Sequence, residues 1–174
     1  MTSNSPYPKK LSKTAFIERF GSIYEHANWV AQRAYEQGVQ PGITSNNLSQ
    51  QMALIVDSAN DVDQLELLRA HPDLAGKLAI SDLSVASQNE QHGAGLDQCT
   101  PQEFEEFQHL NEAYAERFGF PFIFAVAGFQ KADILRAFRQ RIHNNNEQEK
   151  LTALEQVHKI AANRLQQLGE SQNE

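Results

Sequence analysis

An all-α fold, a single-domain multi-helix bundle of about eight helices, is what this sequence predicts, and three observations carry that expectation. Apolar residues recur with a period of about 3.6 through most of the chain. Helix start and stop signals bracket the periodic runs. The length, 174 residues of which 40% are hydrophobic, suits one domain with a substantial core. No internal repeat interrupts the pattern. The organisation expected is a flexible tail over 1–10, one helical domain over 11–169 and a short tail over 170–174.

Ser12 caps a first short helix carrying Phe16 and Phe20, because a hydroxyl can accept from an otherwise unpaired N–H of the first turn. "YEHANWVAQRAYEQG", 24–38, reads as the second, bounded by Gly38 and the Pro41-Gly42 turn. The third follows "TSNN" and buries Leu48, Met52, Ile55 and Val56; the fourth runs from near Asp61 into "AHPDLAGK", where Pro72 stops it. Residues 81–92 are polar enough for only one or two short helical turns before "GAGLD". Thr100, Pro101 and Glu103 then combine an N-cap, an N1 proline and a capping-box glutamate. Phe104, Phe107, Leu110 and Tyr114 mark that helix's buried face, and Gly119 ends it. "FPFIFAVAG", 120–128, is a short unbroken apolar run, either a buried strand-like segment or a turn of core helix. Two helices, near 130–143 and 147–168, complete the chain around "HNNNEQ".

The formal net charge of −7, with no basic run or stripe, argues against binding nucleic acid or an anionic membrane. No segment is long and apolar enough to span a bilayer or serve as a secretory signal, and the C-terminal "ESQNE" is no peroxisomal address. With a single cysteine, Cys99, there is no internal disulfide framework, and a cytoplasmic location is expected. Cys99 lacks a CxxC partner and reads as a plain loop cysteine.

Several polar residues fall where the pattern wants something else. On the last helix, Leu151, Leu154, Val157, Ala161, Leu165 and Leu168 form one apolar arc, and Arg164 lies inside its edge. A guanidinium cannot shed its charge there, so it needs a carboxylate, several carbonyls or an anionic ligand, unless its stem alone is covered and its head reaches water. His71 suits a helix C-terminus electrostatically. Asp73 reads as a cap for the turn into Gly76, and Glu90 as solvated. His71, Asp73, Glu90 and His92 are all possible metal ligands, but their spacing matches no zinc or EF-hand pattern. GxGxxG, P-loop and GxSxG motifs are absent as well.

Four ordered stretches, "FGSIYEHANWVAQRA" (20–34), "HPDLAGK" (71–77), "SQNEQHGAGLD" (87–97) and "LNEAYAERFGFPFIFAV" (110–126), resemble the OHCU decarboxylase family, OHCU being 2-oxo-4-hydroxy-4-carboxy-5-ureidoimidazoline of urate degradation. The resemblance continues through "ILRAFRQRIHN" and "ALEQVHKIAANRLQQL", covering about residues 12–168. It implies an all-α, homodimeric enzyme that needs no metal or organic cofactor and converts OHCU to (S)-allantoin and carbon dioxide. It also implies a site. The family's catalytic histidine falls on His71 and its glutamate on Glu90, with an arginine near the end falling on Arg164. Substrate contacts fall on Pro72, on Ser87, Gln88, Asn89, Glu90 and Gln91, and on Phe122, Ile123, Phe124, Ala125 and Val126.

Each assignment has a chemical reason. Loss of carbon dioxide leaves electron density that the conjugated imidazolone ring delocalises without a cofactor acting as electron sink. The protein must orient the carboxylate, stabilise enolate-like charge and deliver a proton to one face. An imidazole titrates near neutrality, so His71 serves as general acid/base, either at the substrate hydroxyl or at the ring carbon. Glu90 orients His71 or accepts from ring and ureido N–H groups, and Arg164 pairs with a substrate oxyanion through its planar fork. Residues 122–126 offer backbone N–H and C=O groups, which reconciles an apolar sequence with a polar ligand. The competing readings are a noncatalytic helical protein-binding module and, more remotely, a metal-dependent hydrolase using the same histidine and carboxylates.

Overall fold

The computed structural model describes residues 11–39, 45–76 and 83–170. The expected tails, 1–10 and most of 170–174, lie outside the described residues, as does the Pro41-Gly42 turn. Eight α-helices are present among the described residues, with no strand: α1 (Lys13–Phe20), α2 (Asn28–Glu36), α3 (Ser45–Asp57), α4 (Asp61–Arg69), α5 (Val85–Gly93), α6 (Pro101–Phe118), α7 (Lys131–Arg141) and α8 (Asn146–Glu170). The all-α expectation holds. No described helix is long and apolar enough to cross a membrane.

The chain forms two compact units, Met1–Ala70 with His158–Glu174, and His71–Val157. In the first, Ser12 Oγ accepts from Ala15 N at 3.2 Å to start α1. Asn60 Oδ1 accepts from Asp63 N at 2.9 Å to start α4, whose first turn also carries Asp61 and Asp63 toward the positive end of the helix dipole. Phe16, Phe20, Val30, Ala34, Met52, Leu68 and Leu165 are fully buried there.

The second unit is built around α6. The anticipated capping box is present, with Thr100 Oγ1 accepting from Glu103 N at 3.2 Å and Glu103 Oε2 from Thr100 N at 2.8 Å. Gly119, at φ 76°, ends the helix in the left-handed conformation that glycine adopts without steric cost. Phe107, Tyr114, Phe122, Ile134, Phe138 and Ala153 form the core. Phe122 stacks on Phe138 with centroids 3.8 Å apart, and Tyr114 meets both edge-on; each such aromatic contributes roughly 1.5–3 kcal/mol through burial.

Four details differ from the sequence expectations. The second helix starts at Asn28 rather than Tyr24, because residues 24–26 turn and His26 sits at φ 52°. Residues 85–93 make a complete helix, started by Ser84 Oγ accepting from Ser87 N at 3.2 Å. The 120–128 run forms neither of the two anticipated elements: 121–126 have no helix or strand assigned and 127–128 turn, although Phe120, Phe122, Ile123, Ala125 and Val126 are buried. Phe104 and Leu151 are 42% and 59% exposed, although the helical period placed them on buried faces.

Candidate active site

His71 follows the last residues of α4 and is 8% exposed. Proline at 72 keeps the helix from continuing, so the chain turns sharply. In that turn Ala75 adopts φ 47°, and a Cβ on Gly76 would come within 3.0 Å of the Asp73 Cβ, which a glycine avoids. The turn's backbone groups are taken by side-chain amides from elsewhere. Gln91 on α5 accepts from Ala75 N at 3.1 Å and donates to Asp73 O at 3.1 Å. On α6, Gln108 donates to Ala75 O at 2.7 Å and Asn111 to Leu74 O at 2.9 Å. Burial pushes the Asp73 carboxyl above its ordinary range. A cavity of about 580 Å³ lies against this scaffold, with Pro72, Asp73, Gln91, Phe104, Gln108 and Asn111 among its walls. His71 and Glu90 are not among its lining residues.

On α5, Ser87 and Gln91 are buried, one helical turn apart, and Glu90, on the same side by its spacing, is half-buried. Gln88 is half-buried and donates to Leu83 O at 2.9 Å, while Asn89 is exposed. The five-residue motif therefore divides. Ser87, Glu90 and Gln91 look inward, and both ends of the Gln91 amide are engaged by the 73–75 backbone.

Residues 122–126 are held by a different device. Arg141 donates through Nη1 to Ile123 O at 2.7 Å and through Nε to Glu149 Oε1 at 2.9 Å, and its guanidinium lies 4.4 Å from the Phe122 ring centroid. Glu149, wholly buried, also accepts from Tyr114 OH and, at 2.8 Å, from Asn144 Nδ2. Burial and the adjacent Glu149 carboxylate hold the Tyr114 hydroxyl well above the usual phenol range. Gln156 Oε1 accepts from Ala125 N at 3.0 Å. Two backbone groups of this run are thus occupied within the chain, which narrows the expected ligand contacts to its remaining groups. Phe122, Ile123, Ala125 and Val126 are buried, and Phe124 is half-buried.

Helix α6 links the two segments, since Gln108 and Asn111 grip the His71 turn and Tyr114, one turn on from Asn111, packs on Phe122. Asn111 was detectable as a polar residue in the stripe between Phe107 and Tyr114. Arg141 and Glu149 carry no such legible pairing.

Arg164 belongs to the other unit and is 7% exposed. Its Nη1 donates to Glu25 Oε2 at 2.7 Å and to Ile23 O at 3.4 Å. Of the readings left open for it, the guanidinium itself is buried and meets a carboxylate. Sequence reasoning did not find Glu25; the signal was the demand of a buried arginine for a counter-charge. Tyr24 OH is 3.0 Å from His158 Nδ1, and His158 Nε2 is 2.9 Å from Asp57 Oδ1. Burial, reinforced by the Asp57 charge, raises the Tyr24 hydroxyl far above its ordinary range. Among the described residues no three His, Cys, Asp or Glu side chains gather to hold a metal ion. Cys99 is half-buried, and burial raises its thiol.

The family model for OHCU decarboxylase matches residues 9–166. The 2-oxo-4-hydroxy-4-carboxy-5-ureidoimidazoline decarboxylase of Halalkalicoccus jeotgali is 43% identical over 156 residues, which are 90% of this chain and 86% of that protein. A uric acid degradation bifunctional protein of a Bacillus species is 38% identical over 91% of this chain, which spans 31% of that longer protein. Among solved structures, an (S)-allantoin synthase superposes with a TM-score of 0.72 at 35% identity, over 91% of this chain and about half, 51%, of that one. An OHCU decarboxylase crystallised in the presence of (S)-allantoin gives a TM-score of 0.67 at 20% identity, over 86% of this chain and 96% of that one, a likeness of fold.

Proposed function

We infer that His71, Glu90 and Arg164 divide the work of decarboxylation in this chain, which belongs to the OHCU decarboxylase family and is a carboxy-lyase of urate degradation. The substrate is OHCU and the product (S)-allantoin. The observation that supports the His71 and Glu90 part of this division is the register between two motifs. The Gln91 amide ties the turn after His71 to the helix that bears Glu90, and His71 is 8% exposed.

Cleavage of the bond to the carboxylate leaves its electron pair on the ring, where the adjacent C=N accepts it. The ring nitrogen that accepted the pair takes a proton. The hydroxyl on the former carboxyl carbon becomes a carbonyl as its proton leaves, and a proton is added to the carbon bearing the ureido group, so that overall the carboxylate is exchanged for a proton. His71 handles either the hydroxyl proton or the one delivered to carbon, and delivery from one side sets the S configuration. Glu90, an acceptor when ionised, orients the imidazole or takes ureido N–H donors. Arg164 meets the substrate anion. Pro72 and the inward-looking Ser87 border the substrate. Gln91 acts as scaffold, and Gln88 and Asn89 contribute less. The groups of 122–126 not engaged by Arg141 and Gln156 face the ring amides. Family membership also supports a homodimer as the working state; sedimentation of the pure protein at the mass of one protomer would remove that part. The single cysteine supports a cytoplasmic location, which fractionation of the producing cells would test.

Freshly generated OHCU decays spontaneously to racemic allantoin. The protein is expected to accelerate that decay and yield optically enriched S product, followed by polarimetry. Rate and rotation left at the spontaneous values would overturn the reading. A folded His71→Asn variant with full activity would remove His71 alone.

A further inference from the structure

We propose that Glu25 is a positioning residue for the decarboxylation, fixing the orientation in which the Arg164 guanidinium meets the substrate anion; this rests on the reading of Arg164 given above. Both side chains are buried, Glu25 at 3% and Arg164 at 7% exposure. Two groups of one loop, the Glu25 carboxylate at 2.7 Å and the Ile23 carbonyl at 3.4 Å, converge on the same nitrogen, Nη1. A guanidinium is planar and rigid, with five donors in a fixed fork. Tying one corner therefore fixes the plane and direction of the whole group.

The loop is itself over-determined. Tyr24, beside Glu25, is anchored through His158 to Asp57. His158 lies six residues before Arg164 on α8, a rise of ~9 Å, so adjacent loop residues grip one helix at two separated points. Directly after them, His26 takes φ 52°. For a residue with a Cβ this costs about 1–2 kcal/mol, and such strain persists where surrounding contacts impose it. The loop holds an unfavourable turn at the place where it delivers the carboxylate. Glu25 also supplies the counter-charge that a buried arginine requires. An amide in its place keeps an acceptor but no longer distinguishes one orientation from its flipped alternative.

The test is a double-mutant cycle on OHCU turnover with R164M, E25Q and E25Q/R164M, each checked for helicity by circular dichroism. R164M is expected to lower kcat/KM by about 100-fold. E25Q should lower it by about 10-fold, chiefly through a raised KM. The double variant should be no worse than R164M, because Glu25 acts only through the arginine. E25D, which keeps the charge but moves it by one methylene, should recover part of the E25Q loss. Should E25Q fail to fold, E25D replaces it in the cycle. If R164M retains full kcat/KM, the reading of Arg164 fails and the proposal with it. If R164M is impaired while E25Q is not, or the two losses multiply, Glu25 has no positioning role and the reading of Arg164 stands.

Discussion

Two segments of the second unit lack a helix or strand of their own, and they are kept in place by opposite means. The turn after His71 is gripped by three neutral amides, Gln91, Gln108 and Asn111. The 122–126 run is gripped by the buried Arg141–Glu149 pair, with Tyr114, Asn144 and Gln156 completing the set. Both satisfy backbone groups that would otherwise be buried at a cost. They differ in the field they create. A charged clamp close to an imidazole biases its protonation. A neutral clamp fixes the turn that follows the histidine proposed as the acid/base group and adds no charge of its own there. Around an apolar run with nothing to titrate, an ion pair carries no such penalty.

Breaking the ionic clamp should have the largest effect. R141M leaves the Glu149 carboxylate buried without its cation, and a loss of about 3–5 kcal/mol is expected in urea unfolding; a loss under about 1 kcal/mol would mean that packing alone holds 122–126. The same clamp has an alkaline signature. Tyr114 stays protonated in the folded protein above the range where an unfolded phenol ionises, so the folded state holds the extra proton and stability falls as pH rises past about 10. The slope is about 1.4 kcal/mol per pH unit for each such phenol. Tyr24 in the other unit should behave likewise. Absorbance at 295 nm should therefore show two of the four tyrosines ionising only as helicity is lost.

The neutral clamp should yield more gently. In N111L the Leu74 carbonyl loses its donor, but the Asn111 Oδ1, buried without a hydrogen-bond partner, is removed too. A net cost of about 1 kcal/mol is expected, with a proportionally larger fall in kcat as the His71 turn loosens. A75G should have the smallest effect, a gain of up to about 1 kcal/mol from relief of the left-handed alanine, visible as a slightly raised melting temperature.

Local signals were legible in the sequence where a single helix end decides the outcome: Ser12, the Thr100–Glu103 box and Gly119 act as read. Arg164 was visible as a charge inside the edge of an apolar arc, but the pattern alone favoured a head reaching water over the buried guanidinium observed. Its partner was not visible, because Glu25 lies 139 positions away and only tertiary contact joins them. The false start of α2 has the same origin. Tyr24 continues a helical pattern, but its hydroxyl is committed to His158 and Glu25 to Arg164, so the backbone turns where local preference would extend it. Phe104 and Leu151 fit the period and are nevertheless exposed, since periodicity assigns a face to every turn whether or not a neighbour covers it. The site motifs were found by resemblance; composition and spacing alone favoured a helix stop at His71 and a solvated Glu90.

The pH dependence of kcat/KM for Q91E beside the unaltered protein tests the central claim most directly. A glutamate at 91 keeps the acceptor for Ala75 N, gives up the donor to Asp73 O, and converts the neutral clamp on the turn after His71 into a negatively charged one. Negative charge favours imidazolium, so the limb due to His71 should move to higher pH by about half a unit or more. A limb that stays in place, in a Q91E protein that folds and turns over OHCU, would contradict the reading of His71 as the acid/base group held by this clamp.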